Sequence, residues 1–145
     1  MNFKKGNLYT SEAIKEYDWV GFTANSKINK AGALIMGAGG AKACKDLYTG
    51  VELTFGKKIV DGEEFNVKTS IKHKVFALQT KVDWREKSNI ALVSRSINRL
   101  KELLDAYPEL TFACTFPAIQ NGGLKREDIL PMLKLLPNNI DIWEL

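Results

Sequence analysis

The residues of this sequence best suited to chemistry are two glycine-rich stretches and one lysine. The first stretch is Ala31-Gly32-Ala33-Leu34-Ile35-Met36-Gly37-Ala38-Gly39-Gly40-Ala41-Lys42-Ala43. Glycines let backbone N–H groups wrap an anion without Cβ obstruction, and a helix starting just beyond adds its partial positive charge. The plain alternative is a loop that needs tight turns and nothing more. The second stretch is Phe116-Pro117-Ala118-Ile119-Gln120-Asn121-Gly122-Gly123-Leu124, which leaves an uncharged apolar run. Two such loops at one sheet edge would clasp both sides of a diphosphate. Lys81 follows the apolar run Val75–Gln79. A lysine there is a nucleophile if its pKa is depressed or a base adjoins it, and otherwise a solvated side chain after a strand.

Two familiar phosphate-binding patterns fail on spacing. Gly37-Ala38-Gly39-Gly40-Ala41-Lys42 carries lysine where a dinucleotide fingerprint has its third glycine. Gly50 to Gly56-Lys57-Lys58 has one residue too many for a P-loop and no Ser or Thr after the lysine. No metal site is expected, because His73 is the only histidine and Cys44 and Cys114 lack ligand spacing. Two cysteines in apolar settings read as reduced core thiols of a cytoplasmic protein.

Periodicity supplies the elements that must position these residues. Strands are expected at Trp19–Thr23, Val51–Phe55 (with Lys58–Val60 as an extension or hairpin arm), Val75–Gln79, Leu110–Phe116 and Ile140–Glu144. Ile90, Val93, Ile97, Leu100, Leu104 and Tyr107 recur every three or four residues and predict a helix capped by Ser88 and ended by Pro108. A second helix carries Ile129, Leu130, Leu133 and Leu136, stops at Pro137, and accommodates Pro131 if Asp128 caps it. A shorter helix is expected from Gly40 to about Tyr48, with one amphipathic turn at Ala13–Tyr17. Asp61–Ser70 reads as a polar surface excursion.

Alternation of strand and helix in the second half predicts a mostly parallel sheet covered on both faces. Ligands of such sheets bind beyond the carboxyl ends of the strands, which brings Asn25–Gly40, Thr80–Ser88 and Pro117–Leu124 together. The 145 residues suit one domain. No apolar run is long enough to span a bilayer. The net charge of +4 favours an anionic ligand, but its cations are interspersed with Asp61, Glu63 and Glu64 rather than massed as in a nucleic-acid-binding run.

Four segments, in order and spanning residues 1–145, resemble a macro domain. Lys5-Gly6-Asn7-Leu8 is similar to the family's opening element, and Thr23-Ala24-Asn25-Ser26 with Met36-Gly37-Ala38-Gly39-Gly40-Ala41 to its strand end and first phosphate loop. Gln79-Thr80-Lys81-Val82-Asp83-Trp84-Arg85 with Ser88 resembles a branch that includes antitoxin macro domains removing ADP-ribose from DNA and small phage-encoded versions. Asn121-Gly122-Gly123-Leu124 is similar to the second phosphate loop.

The resemblance implies a three-layer α-β-α fold with a mixed, mostly parallel central sheet. It implies that ADP-ribose, or an ADP-ribosylated substrate on DNA or protein, is the ligand of a monomer, with no cofactor, metal or membrane partner. Asn7, with Leu8 beside it, would take the adenine, Asn7 standing where the family commonly has an aspartate accepting the 6-amino proton. Asn25 would reach the distal ribose. Gly37, Ala38, Gly39, Gly40 and Ala41 would hold the phosphates together with Ile119, Gln120, Asn121, Gly122 and Gly123. Lys81 would attack the anomeric carbon, or water would attack near Asn25, making the chain an ADP-ribosyl glycohydrolase or ADP-ribose-1″-phosphate phosphatase. The acid that assists such a lysine is replaced by Leu124, and Ala118 and Gln120 stand where glycines are usual. Those departures favour the alternative, a non-catalytic ADP-ribose-binding module.

Overall fold

The computed structural model describes residues 1–145. The chain runs β1 (Asn2–Lys5), α1 (Ser11–Ile14), β2 (Trp19–Ala24), α2 (Gly39–Leu47), α3 (Val51–Lys58), β3 (Val67–Ser70), β4 (Val75–Gln79), α4 (Ile90–Ala106), β5 (Phe112–Thr115), α5 (Arg126–Leu133) and β6 (Ile140–Glu144). One sheet forms in the order β1-β6-β5-β2-β4-β3. Only the β3–β4 pair is antiparallel; every other neighbour is parallel. No helix is long and apolar enough to cross a membrane.

Strand alternation divides the interior into two cores. On β4, Val75 and Ala77 join Phe22, Phe55, Val51 and Cys44 on one face, while Phe76 and Leu78 join Val93, Leu100, Leu104 and Ile129 on the other. Helices α2 and α3 therefore cover one face and α4 and α5 the other, which is the three-layer arrangement. Gly21 on β2 is required by this packing, since a Cβ there would lie 2.2 Å from the Phe76 ring. Cys44 and Cys114 fall in opposite cores, and burial pushes both thiols up to about 12.

Several elements depart from the sequence expectation. Val51–Phe55 is not a strand but the first part of α3, and Lys58–Val60 closes that helix instead of extending a sheet. The run Val51-Glu52-Leu53-Thr54-Phe55 alternates like a strand, yet only Val51 and Phe55 are buried, and Leu53 is 45% exposed. The burial period is four, as a helix requires. Gly50, at φ +81°, turns the chain out of α2, and Gly56 lets α3 sit against the 32–34 turn, where a Cβ would meet the Gly32 carbonyl at 1.8 Å. The excursion at 61–70 contains β3, a half-buried edge strand whose Val-Lys-Thr-Ser composition carries little hydrophobic signal.

Caps also differ. Asn89, not Ser88, caps α4, its Oδ1 accepting from the N–H groups of Ala91 and Leu92. Helix α5 begins after Lys125, so Asp128 lies inside its first turn rather than capping it. Pro131 falls within the helix, and the helix ends at Leu133, short of Leu136.

Candidate functional site

Loops leaving the carboxyl ends of β1, β2, β4 and β5 gather with the end of β6 around a cleft of about 830 Å³. All the expected site residues line it except Gly123. Gly123 sits off the cleft wall at φ +70°, where it makes the turn of the second loop against Lys87.

The first loop is built on Asn25, which is 7% exposed. Its Oδ1 accepts from Lys27 N–H at 2.7 Å, and its Nδ2 donates to the Ile35 carbonyl at 3.0 Å. The side chain thus closes the base of the 26–35 excursion and lies on the cleft wall at the same time. Asn29 repeats the device outside, accepting from Ala31 and Ala33. Beyond it, Gly37 to Ala41 lead into α2, whose N-cap Ala38 supplies no side-chain acceptor. The N–H groups of Gly37, Ala38, Gly39, Gly40 and Ala41 consequently have no protein partner.

The second loop holds a matching set. Leu124 and Gly123 donate to the carbonyls of Ala118 and Gln120, while the N–H groups of Ile119, Gln120, Asn121 and Gly122 donate to nothing in the protein. Ala118 keeps a glycine-like φ of +69° although it carries a methyl, and that methyl is buried in the α4–α5 core. The strain of a left-handed alanine, about 1 kcal/mol, is offset by burial of that methyl. Gly122 must be glycine, because a Cβ would lie 2.5 Å from both the Ala118 carbonyl oxygen and Ser88 Oγ.

The two loops are tied to each other and to the β4 loop. Ser88 N–H donates to the Gly122 carbonyl at 2.8 Å. Lys81 Nζ donates to the carbonyls of Glu86 (3.1 Å), Asn121 (3.3 Å) and Trp84 (3.5 Å). Across the cleft, Asn121 Nδ2 lies 2.8 Å from the place a Gly39 Cβ would occupy. Burial lowers the Lys81 pKa, while three carbonyls around its ammonium hold the charged form.

Sequence reasoning missed three supports of this site. Gln79, 0% exposed, accepts from Phe65 N–H (2.6 Å) and Asn66 N–H (3.1 Å) and donates to the Glu63 and Lys81 carbonyls, both at 3.3 Å. Its signal was a neutral polar residue ending an otherwise apolar strand. Asp83 accepts from the Arg85 side chain and N–H, which hold its carboxyl well below the usual range. Arg85 in turn lies 5.6 Å from the ring of Trp84, a half-exposed residue on the cleft rim. Tyr9, buried, donates its hydroxyl to the Gly21 carbonyl at 2.8 Å and packs under Gly40.

Only two charged side chains line the cleft, Lys81 and Glu144. They belong to β4 and β6 ends separated by β2 and β5, about 14 Å at ordinary strand spacing. No carboxylate on the cleft wall therefore adjoins Lys81, and Leu124 packs against the α4–α5 core.

No family model and no curated protein matches the sequence. Solved structures do. The chain is similar to the macrodomain of Mycobacterium tuberculosis DarG, with a TM-score of 0.72, 20% identity, and 99% of this chain and 97% of that one covered. It adopts the macrodomain fold. The macrodomain of Thermus aquaticus DarG follows at TM-score 0.66 and 20% identity, covering 98% and 95%. Thermosipho africanus DarTG, solved in complex with ADP-ribose, matches at 0.69 and 19% identity over 99% of this chain and 41% of that chain. The antiparallel edge strand and mostly parallel sheet of this macrodomain fold agree with the architecture expected from the four sequence segments.

Proposed function

We propose that the cleft binds ADP-ribose or a derivative of it. One observation carries the reading: five residues of the first glycine loop and four of the second, all with unpartnered N–H groups, line the same cleft. Backbone donors without acceptors seek an anion, and two opposed rows suit a diphosphate. The cleft then takes a nucleoside on one side of the diphosphate and a second ribose on the other, beside Asn25 and Lys81. The similarity to DarTG, which was solved with ADP-ribose, supports the same ligand class.

A second reading, hydrolysis at the distal ribose, is favoured by the position and lowered pKa of Lys81. Attack on the anomeric carbon would require Lys81 to lose a proton and break from its three carbonyls. Its lone pair would form the C–N bond as the departing group leaves with the bonding pair. The absence of a carboxylate beside it makes binding the leading reading and turnover the second.

Wild type and Lys81→Ala are to be titrated with ADP-ribose and incubated with ADP-ribosylated DNA, ADP-ribosylated protein and ADP-ribose-1″-phosphate. Wild type is expected to bind, and Lys81→Ala to bind within about tenfold, having lost one tie to the second loop. Product from wild type but not from the variant supports lysine catalysis, whereas equal turnover assigns the step to water near Asn25. No product with intact binding marks a binding module. No binding by wild type overturns the proposal.

A further inference from the structure

We propose that Arg126 is a positioning residue for the cleft: its guanidinium staples the exit of the second loop to the sheet and so holds the row Ile119–Gly122 in place for the ligand. This rests on reading the cleft as an ADP-ribose site. Arg126 opens α5 directly after the loop and does not itself line the cleft. It acts through two residues that do, Phe116 and Glu144.

Strand alternation brings these partners together. Ile140 and Ile142 of β6 lie in the α4–α5 core, so Glu144, two residues further, ends the strand on the same face. Phe116 belongs to that core as well, and Phe3 of β1 stacks with it at 6.3 Å between ring centroids and 10° between planes. Helix α5 begins beside this row. Arg126 Nε and Nη2 donate to the two oxygens of Glu144 at 3.1 and 2.9 Å. Its Cζ lies 5.1 Å from the Phe116 ring centroid and 5.5 Å from that of Phe3. A planar cation meets both carboxylate oxygens and two rings at once, which a lysine does only in part.

The loop needs such a tie at one end only. Its entry is fixed to β6 by Phe116 N–H on the Trp143 carbonyl at 3.0 Å. Its tip is held by Ser88 N–H on the Gly122 carbonyl and Lys81 Nζ on that of Asn121. The exit, at Lys125 and Arg126, has no backbone hydrogen bond to the sheet, and the Arg126 side chain takes that place. The arginine is 46% exposed, so the pair contributes little to global stability. Its effect falls on the loop, where a preset row of donors has less freedom to lose on binding.

The test is calorimetric titration of ADP-ribose, with amide spectra of the free proteins, for wild type, Arg126→Met, Arg126→Lys and Phe3→Leu. A fifth protein combines Arg126→Met with Glu144→Gln, so that no uncompensated carboxylate repels the ligand. Arg126→Met and the combined variant are expected to bind about tenfold more weakly, and Arg126→Lys within about threefold of wild type. In the free Arg126→Met protein the amides of Ile119–Gly122 should move while those of Gly37–Ala41 stay. Phe3→Leu, outside the cleft, should lose about threefold through the arginine it no longer holds. Wild-type affinity in Arg126→Met or in the combined variant, no rescue by lysine, or second-loop amides that stay in place would each overturn the inference and leave the ADP-ribose site standing. If Arg126→Met does not fold, Phe3→Leu decides alone, and unchanged affinity there overturns it. No binding by wild type removes the ADP-ribose reading and this inference with it.

Discussion

Gly39→Val is expected to fold and to lose at least about a hundredfold in ADP-ribose affinity, close to 3 kcal/mol. Gly39 stands at φ +56°, at the start of α2, among the unpartnered N–H groups of the first loop. A branched side chain there costs about 1–2 kcal/mol in a left-handed conformation. It also meets Asn121 Nδ2, which lies 2.8 Å from even the first added carbon. Asn121 is the end of a mobile side chain on an exposed loop residue, so the fold can yield locally and survive. The cleft cannot, because the added methyls occupy the gap between the two rows of N–H donors. Thermal unfolding should show a drop of a few degrees, and calorimetry the loss of ligand. A folded variant that binds as wild type does would make the first loop purely structural.

Gln79→Leu is expected to lower stability by about 3 kcal/mol, or on the order of 10 °C in melting temperature for a domain of this size. The substitution nearly conserves volume, so packing is not the cause. What it removes are four hydrogen bonds from a fully buried carboxamide, stranding the N–H groups of Phe65 and Asn66 and the carbonyls of Glu63 and Lys81. The stranded groups lie on half-buried or exposed residues, so each costs about 1 kcal/mol or somewhat less. Because one of those carbonyls belongs to Lys81, ligand affinity should fall as well. A variant with an unchanged melting curve would show that the 61–66 turn relaxes to satisfy itself.

Much of this architecture was legible where a long periodic pattern met a buried face. Helix α4 buries its stripe from Val93 to Leu104, while Ile90 and Tyr107, read with it, are 43% and 47% exposed, and β4 and β5 are apolar enough to read as interior strands. Helix α3 was not legible for a definable reason. Five residues alternate by chance, and only the burial of Val51 and Phe55, with Leu53 left exposed, reveals that the period is four. Edge strand β3 is short and half-buried, so its residues carry no core signal. Asn89 displaced Ser88 as the α4 cap because Ser88 is held by the Gly122 carbonyl, a contact 34 positions distant that local pattern cannot contain.

The site shows the same division. Glycine spacing located both loops, because the need for exposed N–H groups is written in residue type. The state of the side chains was not written there. Asn25 ties down its own loop, Asn7 turns its oxygen inward, and Lys81 spends its three donors on carbonyls. Each of these depends on partners brought in by folding, and each alters what the residue offers a ligand. Lys81 changes most, from a free amine to a tether.

The central claim is that the backbone N–H groups of both glycine loops take the diphosphate. Titrating ADP-ribose into isotope-labelled protein and following the backbone amide resonances tests it most directly. Saturation is expected at one ligand per chain, with the amides of Gly37–Ala41 and Ile119–Gly122 shifting together and those of the hollow around Lys15, Tyr48 and Lys74, on a separate part of the surface, staying in place. Shifts confined to one loop, shifts at that hollow instead, or no shift at millimolar ADP-ribose would contradict it.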